Sequence, residues 1–279
     1  SLNKRRDNCV YACYLYFKGE VVKYHYQSSL GFSHKIDLHD SKVLKFRYFI
    51  WDKQRNIRTS ESISVTEKLE IFSTYFFFLD NDLNGYLLDK HIEHYISNEE
   101  NIERGQMLFE ENILKLTSFA PVEWENWEAY PFNNRSWQWA LHWFDFNKHL
   151  LAFHYKTRND EILYKLKELI NCWIDTYLYN ENTKFEFIWH DHATSLRAEQ
   201  VLLLLYYLKK YNQLWMTKNF SFVSKLFVTL NVIGKKLEKE EFYSKYTNHG
   251  LEQVRVLMLL GLILNNKAWV AISILRLND

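Results

Sequence analysis

The string Tyr246-Thr247-Asn248-His249-Gly250 stands directly before an apolar helix over 251–264, so an amide, an imidazole and a glycine meet at a helix start. Backbone N–H groups are unpaired there and the helix dipole favours negative charge, so the position suits a substrate carboxylate. Removing the proton beside a uronic acid carboxylate leaves a poorly stabilised carbanion, and an enzyme must first hydrogen-bond or neutralise that carboxylate. The Asn248 amide can do so, and the neighbouring His249, with a pKa near neutrality, can take the proton. A helix cap followed by a surface histidine is the competing structural reading.

Two further constellations carry comparable chemistry. In Trp189-His190-Asp191-His192-Ala193-Thr194, two imidazoles and a carboxylate have the types of a three-ligand metal site. Residues two apart at a helix start point in different directions, however, so no metal is expected. His190 and His192 read instead as substrate contacts, or Asp191 as paired internally with Arg197 or a histidine. Arg197 lies further along an otherwise apolar helix, where an unpaired guanidinium is costly, and it calls for a carboxylate from the protein or the ligand. In the third constellation, Arg135, Trp137, Gln138, Trp139, His142 and Trp143, the residues Arg135, Gln138 and His142 fall on one helical face and Trp139 and Trp143 fall on the adjacent one. A polar row beside an indole row suits a sugar, whose hydroxyls seek hydrogen bonds and whose C–H faces pack on aromatics. Core tryptophans around a satisfied histidine would give the same pattern. His149 and His154 have no clear partner and read as structural. With neither a glycine-rich phosphate loop nor a serine-centred nucleophile elbow, nucleotide chemistry and serine hydrolysis are excluded.

The elements that must position these residues alternate from residue 136 onward. Stretches 137–155, 193–211 and 251–264 are apolar nearly all round, which implies burial on most sides. Between them, 161–179 carries a stripe of Ile162, Leu166, Leu169, Trp173 and Tyr177, with Lys165, Lys167 and Glu168 on the wet side. The stretch 222–237 carries Val223, Leu226, Leu230 and Ile233 in the same way. Buried and amphipathic helices recurring at roughly 50 to 57 residues are what stacked helical hairpins produce, with inner-helix starts converging on one face. Asn133-Asn134-Arg135-Ser136, His190-Asp191-His192 and Asn248-His249 would then share a rim. Pro121 and Pro131 bracket an aromatic loop whose Trp124 and Trp127 form a ligand wall or a plug.

Residues 1–120 read as a helical lead-in, with helices over 65–79 and 87–96. The opening segment is either a short hairpin around Lys18-Gly19-Glu20 or a helix, and 121–279 forms the repeats that carry the cleft. Seven Gly and two Pro are few for 279 residues, which favours an all-α class over turn-dense β folds. With Lys plus Arg at 35 and Asp plus Glu at 34, no net charge draws the chain to nucleic acid or an anionic membrane. No apolar run reaches membrane-spanning length and no secretion signal opens the chain. Cys9, Cys13 and Cys172 form no zinc-type quartet and read as free thiols.

From Trp124 to Asp279 the chain resembles the helical toroid of the heparinase II/III-like polysaccharide lyases, including alginate lyases of similar architecture. The strings that carry the resemblance are Asn134-Arg135-Ser136-Trp137-Gln138-Trp139 with Leu141-His142, then Trp189-His190-Asp191-His192-Ala193-Thr194-Ser195-Leu196-Arg197, then Asn248-His249-Gly250. The resemblance implies an incomplete (α/α) toroid that cleaves a uronic-acid-containing acidic polysaccharide or oligosaccharide by β-elimination, without a cofactor. Asn248 would neutralise the carboxylate and His249 would act as base or stabiliser. Arg135, Trp137, Gln138, His142, His190, His192, Arg197, Trp124 and Trp127 would contact substrate. In that family a Tyr protonates the leaving oxygen and a C-terminal β-sandwich follows the toroid; nothing here aligns with that Tyr, and the sandwich is absent from this chain. The resemblance suggests a bacterial, periplasmic or secreted protein, and the chain is either a fragment of a longer one, with the β-sandwich to follow, or a shortened homologue that has lost the acid. A glycan-binding or surface-polysaccharide assembly protein with the same cleft and no catalysis is the alternative.

Overall fold

The computed structural model describes residues 9–17, 20–27, 44–52, 57–64, 83–116, 119–122, 127–128, 134–179 and 185–278. The chain divides into two compact units, Ser1–Ser73 and Thr74–Asp279.

Strands β1 (Cys9–Phe17), β2 (Glu20–Gln27), β3 (Leu44–Asp52) and β4 (Ile57–Ser64) of the first unit form an antiparallel sheet in the order β2-β1-β3-β4. The β1–β2 pairing runs to Phe17 opposite Glu20, and its register shifts between Leu15 and Tyr16. The part of the expected helical lead-in over 9–64 is therefore sheet. Its segments are dense in Tyr, Phe, Val and Ile, which suit a pleated surface better than a helix. The expected helix over 65–79 lies outside the described residues, and the division at Ser73 falls well before 120.

The second unit is an all-α array with one small ribbon. Helix α1 (Leu83–Ser97) covers and extends the expected 87–96, and α2 (Glu99–Glu111) follows, capped by the Asn98 side chain on the Asn101 N–H. Strands β5 (Ile113–Lys115) and β6 (Phe119–Pro121) pair briefly. Then come α3 (Arg135–His142), α4 (Phe146–Thr157), α5 (Glu161–Tyr177), α6 (Asp191–Tyr211), α7 (Gln213–Lys218) and α8 (Phe220–Leu237). A 3-10 turn over Glu240–Phe242 leads to α9 (Asn248–Ile263) and α10 (Lys267–Leu277).

The inner and outer character of these helices follows their sequence. All the named stripe residues of α5 and α8 are buried. Helix α6 is buried on nearly every side, since it packs against α1, α3, α4, α8 and α9. The stretch 137–155 is two helices rather than one, because the chain turns at 143–145 with Phe144 at φ 68°. A non-glycine residue pays for the left-handed region in steric strain. Burial of the Phe144 ring, 5.4 Å from both Phe146 and Trp173, offsets that cost.

Polar ties cross the apolar layers. On α9, Arg255 holds the buried Glu199 of α6 with two bonds of 2.8 Å and reaches Glu252 at 2.9 Å. On α1, His91 lies 3.5 Å from the same Glu199 carboxylate. Burial alone would raise the Glu199 pKa; the His91 and Arg255 partners bring it down to about 2. His154 meets the Tyr207 hydroxyl at 2.5 Å, which fits its structural reading. Among the described residues, no helix is long and apolar enough to cross a membrane.

Candidate functional site

The start of α9 is fixed by its own loop. Thr247 adopts an extended cap conformation and its hydroxyl oxygen accepts the Gly250 N–H at 3.0 Å, while its O–H donates to the Ser244 carbonyl at 2.6 Å. The buried Gln253, one turn further on, accepts the Ser244 N–H and donates to the Phe242 carbonyl, both at 2.8 Å. Gly250 is required where it stands. A Cβ there would lie 2.3 Å from the Ser244 carbonyl oxygen, so only glycine lets the loop close onto the first turn. Asn248 and His249 are thereby presented on a rigid first turn, Asn248 exposed and His249 partly so.

The start of α6 comes to meet them. His190 takes the extended cap position and Asp191 is the first helical residue. One Asp191 oxygen accepts the His192 N–H at 2.6 Å and lies 2.9 Å from His190 Nδ1. The other oxygen accepts the Ser244 hydroxyl and lies 3.2 Å from His249 Nδ1. Burial pushes the Asp191 pKa up, but these donors outweigh it and the net direction is down, so the group stays ionised. A carboxylate only accepts, so the hydrogen of this contact sits on His249 Nδ1. Ser244, Asp191 and His249 are the residue types of a hydrolytic triad, but the serine donates to the aspartate rather than to the imidazole. That order gives no activated serine.

Aromatic groups extend this cluster. The His192 and His249 rings stack at 4.4 Å, and Trp139 lies 5.1 Å from His192 with Trp143 a further 4.2 Å on. On the other side His190 stacks on Phe187 at 6.1 Å; the exposed Arg135 lies 5.2 Å over Phe187 and pairs with Glu186 at 3.1 Å. Burial lowers the pKa of His190 and of His192, and the neighbouring histidines lower both further. The neutral form is thereby favoured at His190 and His192, beside the indole faces of Trp139 and Trp143. The His192 and His249 ring planes are 26° apart, and among the described residues no group of three or more His, Cys, Asp or Glu could hold a metal ion. The three rim clusters do meet: the α3 start through Arg135, the α6 start through His190 and His192, and the α9 start through His249.

Several expected substrate contacts lie in the interior instead. His142 is fully buried: its Nε2–H donates to the Trp127 carbonyl at 3.1 Å, and its Nδ1 accepts the Trp173 indole N–H at 3.2 Å. Burial, helped by the nearby Arg197 guanidinium, pushes its pKa down to about 3. Gln138, also buried, donates to the same Trp127 carbonyl at 3.4 Å. Trp127 is buried rather than set as a ligand wall, and Trp137 is core as well. Trp124 lies outside the described residues.

Arg197 departs furthest from expectation. It is fully buried, and among the described residues it has no carboxylate partner. Its Nε donates to the His142 carbonyl at 2.6 Å and Nη2 to the Ile188 carbonyl at 2.8 Å. The guanidinium lies 4.0 Å over Trp173 and near Trp189 and Phe144. Carbonyl dipoles and ring faces replace the expected anion. The break after α3 is what makes this possible, because it ends the helix at His142 and leaves that carbonyl able to accept from a side chain.

Two contributors owe their place to the fold. Trp139 was visible as part of an indole row, but only the fold sets it against His192. Ser244 gave no signal at all, because a loop serine acquires meaning only through the Gln253 clamp.

No family model matches the chain, and no curated protein matches it. Among solved structures, the fold is similar to that of the heparan sulfate lyase HepC from Pedobacter heparinus, with a TM-score of 0.57 and 13% identity. The match covers 71% of this chain and 34% of that one, so the chain corresponds to about a third of that protein's length. At that identity the likeness is one of fold, and the helical unit has a polysaccharide-lyase-like architecture.

Proposed function

We propose that the chain is the toroid portion of a polysaccharide lyase that cleaves a uronic-acid-containing acidic glycan by β-elimination. The observation that carries this reading is the first turn of α9, where Asn248 is exposed beside a His249 whose Nδ1 faces Asp191 at 3.2 Å. In the reaction the Asn248 amide and the helix start stabilise the substrate carboxylate as charge develops on it. His249 Nε2 takes the proton beside that carboxylate; the carbanion's electron pair forms the C=C bond, and the C–O bond one carbon further breaks with its pair on the departing glycosidic oxygen, which takes up a proton from solvent. Trp139 and Trp143 offer faces for sugar rings, and Arg135, His190 and His192 offer polar contacts along the rim. The likeness in fold to a heparan sulfate lyase supports the substrate class without naming the polysaccharide.

The product carries an unsaturated uronate that absorbs in the near ultraviolet. A panel of acidic polysaccharides incubated with the full-length protein is expected to yield that absorbance from at least one member. Asn248→Ala and His249→Ala are each expected to lower the rate on the order of 100-fold or more. Absorbance from no member, with glycan retained on an affinity gel, would reject the lyase in favour of a glycan-binding module.

A further inference from the structure

We propose that Asp191 and Ser244 are positioning residues that hold the His249 imidazole in its Nδ1–H form and aim Nε2 outward. The proposal rests on reading His249 as the base, but its structural half can be tested without any substrate.

The argument starts from the oxygens of one carboxylate. The Asp191 oxygen nearer the helix start is committed to α6, since it accepts the His192 N–H at 2.6 Å. That bond fixes the plane of the carboxylate and turns the other oxygen toward the α9 loop. There it receives the Ser244 hydroxyl and faces His249 Nδ1 at 3.2 Å. Ser244 is itself immobilised, because Gln253 and Thr247 bind its N–H and its carbonyl. The imidazole is thus held through Nδ1 and packed on one face by the His192 ring. An imidazole able to flip or change tautomer would present a protonated Nε2, which cannot accept a proton. The charged and titratable groups around the Asp191–His249 pair are His190 at the α6 cap and His192 on α6; Arg135 at the α3 start and Glu186 before α6 act on His190, and Glu252 on α9 acts on His192.

This geometry predicts the effect of one isosteric change. In Asp191→Asn the amide oxygen is drawn to the position that accepts the His192 N–H, which leaves the NH₂ group facing His249. That NH₂ can only donate, so Nδ1 must become the acceptor and the hydrogen must move to Nε2. The change inverts the tautomer with almost no change in shape.

The test is nitrogen-15 NMR of histidine-labelled full chain, with His249 assigned by its loss in His249→Gln. Wild type is expected to show an Nδ1–H imidazole at neutral pH, and Asp191→Asn an Nε2–H imidazole. Asp191→Ala removes the acceptor without supplying a donor, and serves if the Asn variant does not fold; a shift toward Nε2–H is expected there too. Persistence of the Nδ1–H form in both variants would overturn the proposal. Where a glycan is turned over, Asp191→Asn should lower kcat at least about 100-fold with KM within about threefold, because the substrate contacts are untouched. An unchanged kcat overturns the proposal as well. If wild type turns over no glycan, the lyase reading fails while the NMR result still decides the positioning role.

Discussion

Arg197 and His142 show how far a residue's type can mislead about its place. Both have the chemistry of an anion site, and both are core. Arg197→Lys would keep the charge but lose the planar fork that serves two carbonyls and the face laid on Trp173, so a loss of about 2–4 kcal/mol is expected. Urea denaturation measures it, and KM for any glycan substrate should not move. His142 sets an acid limit on stability. Its folded pKa of about 3 lies below the unfolded value of 6.5, so between those values the unfolded chain binds a proton that the native chain refuses. Stability therefore falls as pH drops below 6.5, by up to about 1.4 kcal/mol per unit from this residue. The Glu199 contribution, whose folded pKa is about 2, is present above 4.5 and drains away as pH falls toward 2. Urea midpoints between pH 7.5 and 5 should decline, and His142→Gln should decline less steeply. An equal slope in that variant would contradict a native histidine held neutral.

At the scale of elements, the clamp between α9 and the Ser244 loop governs the site. Gly250→Ala would drive a Cβ into the Ser244 carbonyl, and overpacking of this kind costs about 1–3 kcal/mol. The larger effect should be on function, since Ser244 and His249 must both move: activity is expected to fall by at least about tenfold while the helical circular dichroism stays intact. Thr247→Ala should cost about 1 kcal/mol through the lost cap, read as a lower unfolding midpoint. Helix type and faces were legible because periodicity reports burial directly: the stripes of α5 and α8 are buried as their spacing requires. The break at Phe144 was not legible, since a buried aromatic in the left-handed region depends on Trp173 and Phe146 arriving from elsewhere. The helix start at Asn248-His249 was legible because it announces itself through its cap and glycine. Ser244 was not, because its role depends on side chains brought in by tertiary folding.

For the whole molecule, the two units imply separable folding. Residues 74–279 expressed alone are expected to keep the helical circular dichroism of that unit and to unfold cooperatively in urea. A broad, non-cooperative transition would show that the sheet unit is needed. The sheet itself illustrates a limit of composition. Few glycines and prolines pointed to a mostly helical chain, and the opening segment was open to a hairpin or a helix, yet a sheet of four strands needs few turns.

Stacked helical hairpins usually lengthen or shorten by whole repeats, since each repeat touches only its neighbours. The Asp191 carboxylate restricts that freedom, because it serves its own helix with one oxygen and the next hairpin with the other. A hairpin inserted between α6 and α9 would leave an intact stack with an orphaned carboxylate on one repeat and an unheld imidazole on another. Descendants of this chain can gain or lose repeats elsewhere, but at this joint the repeat order is locked.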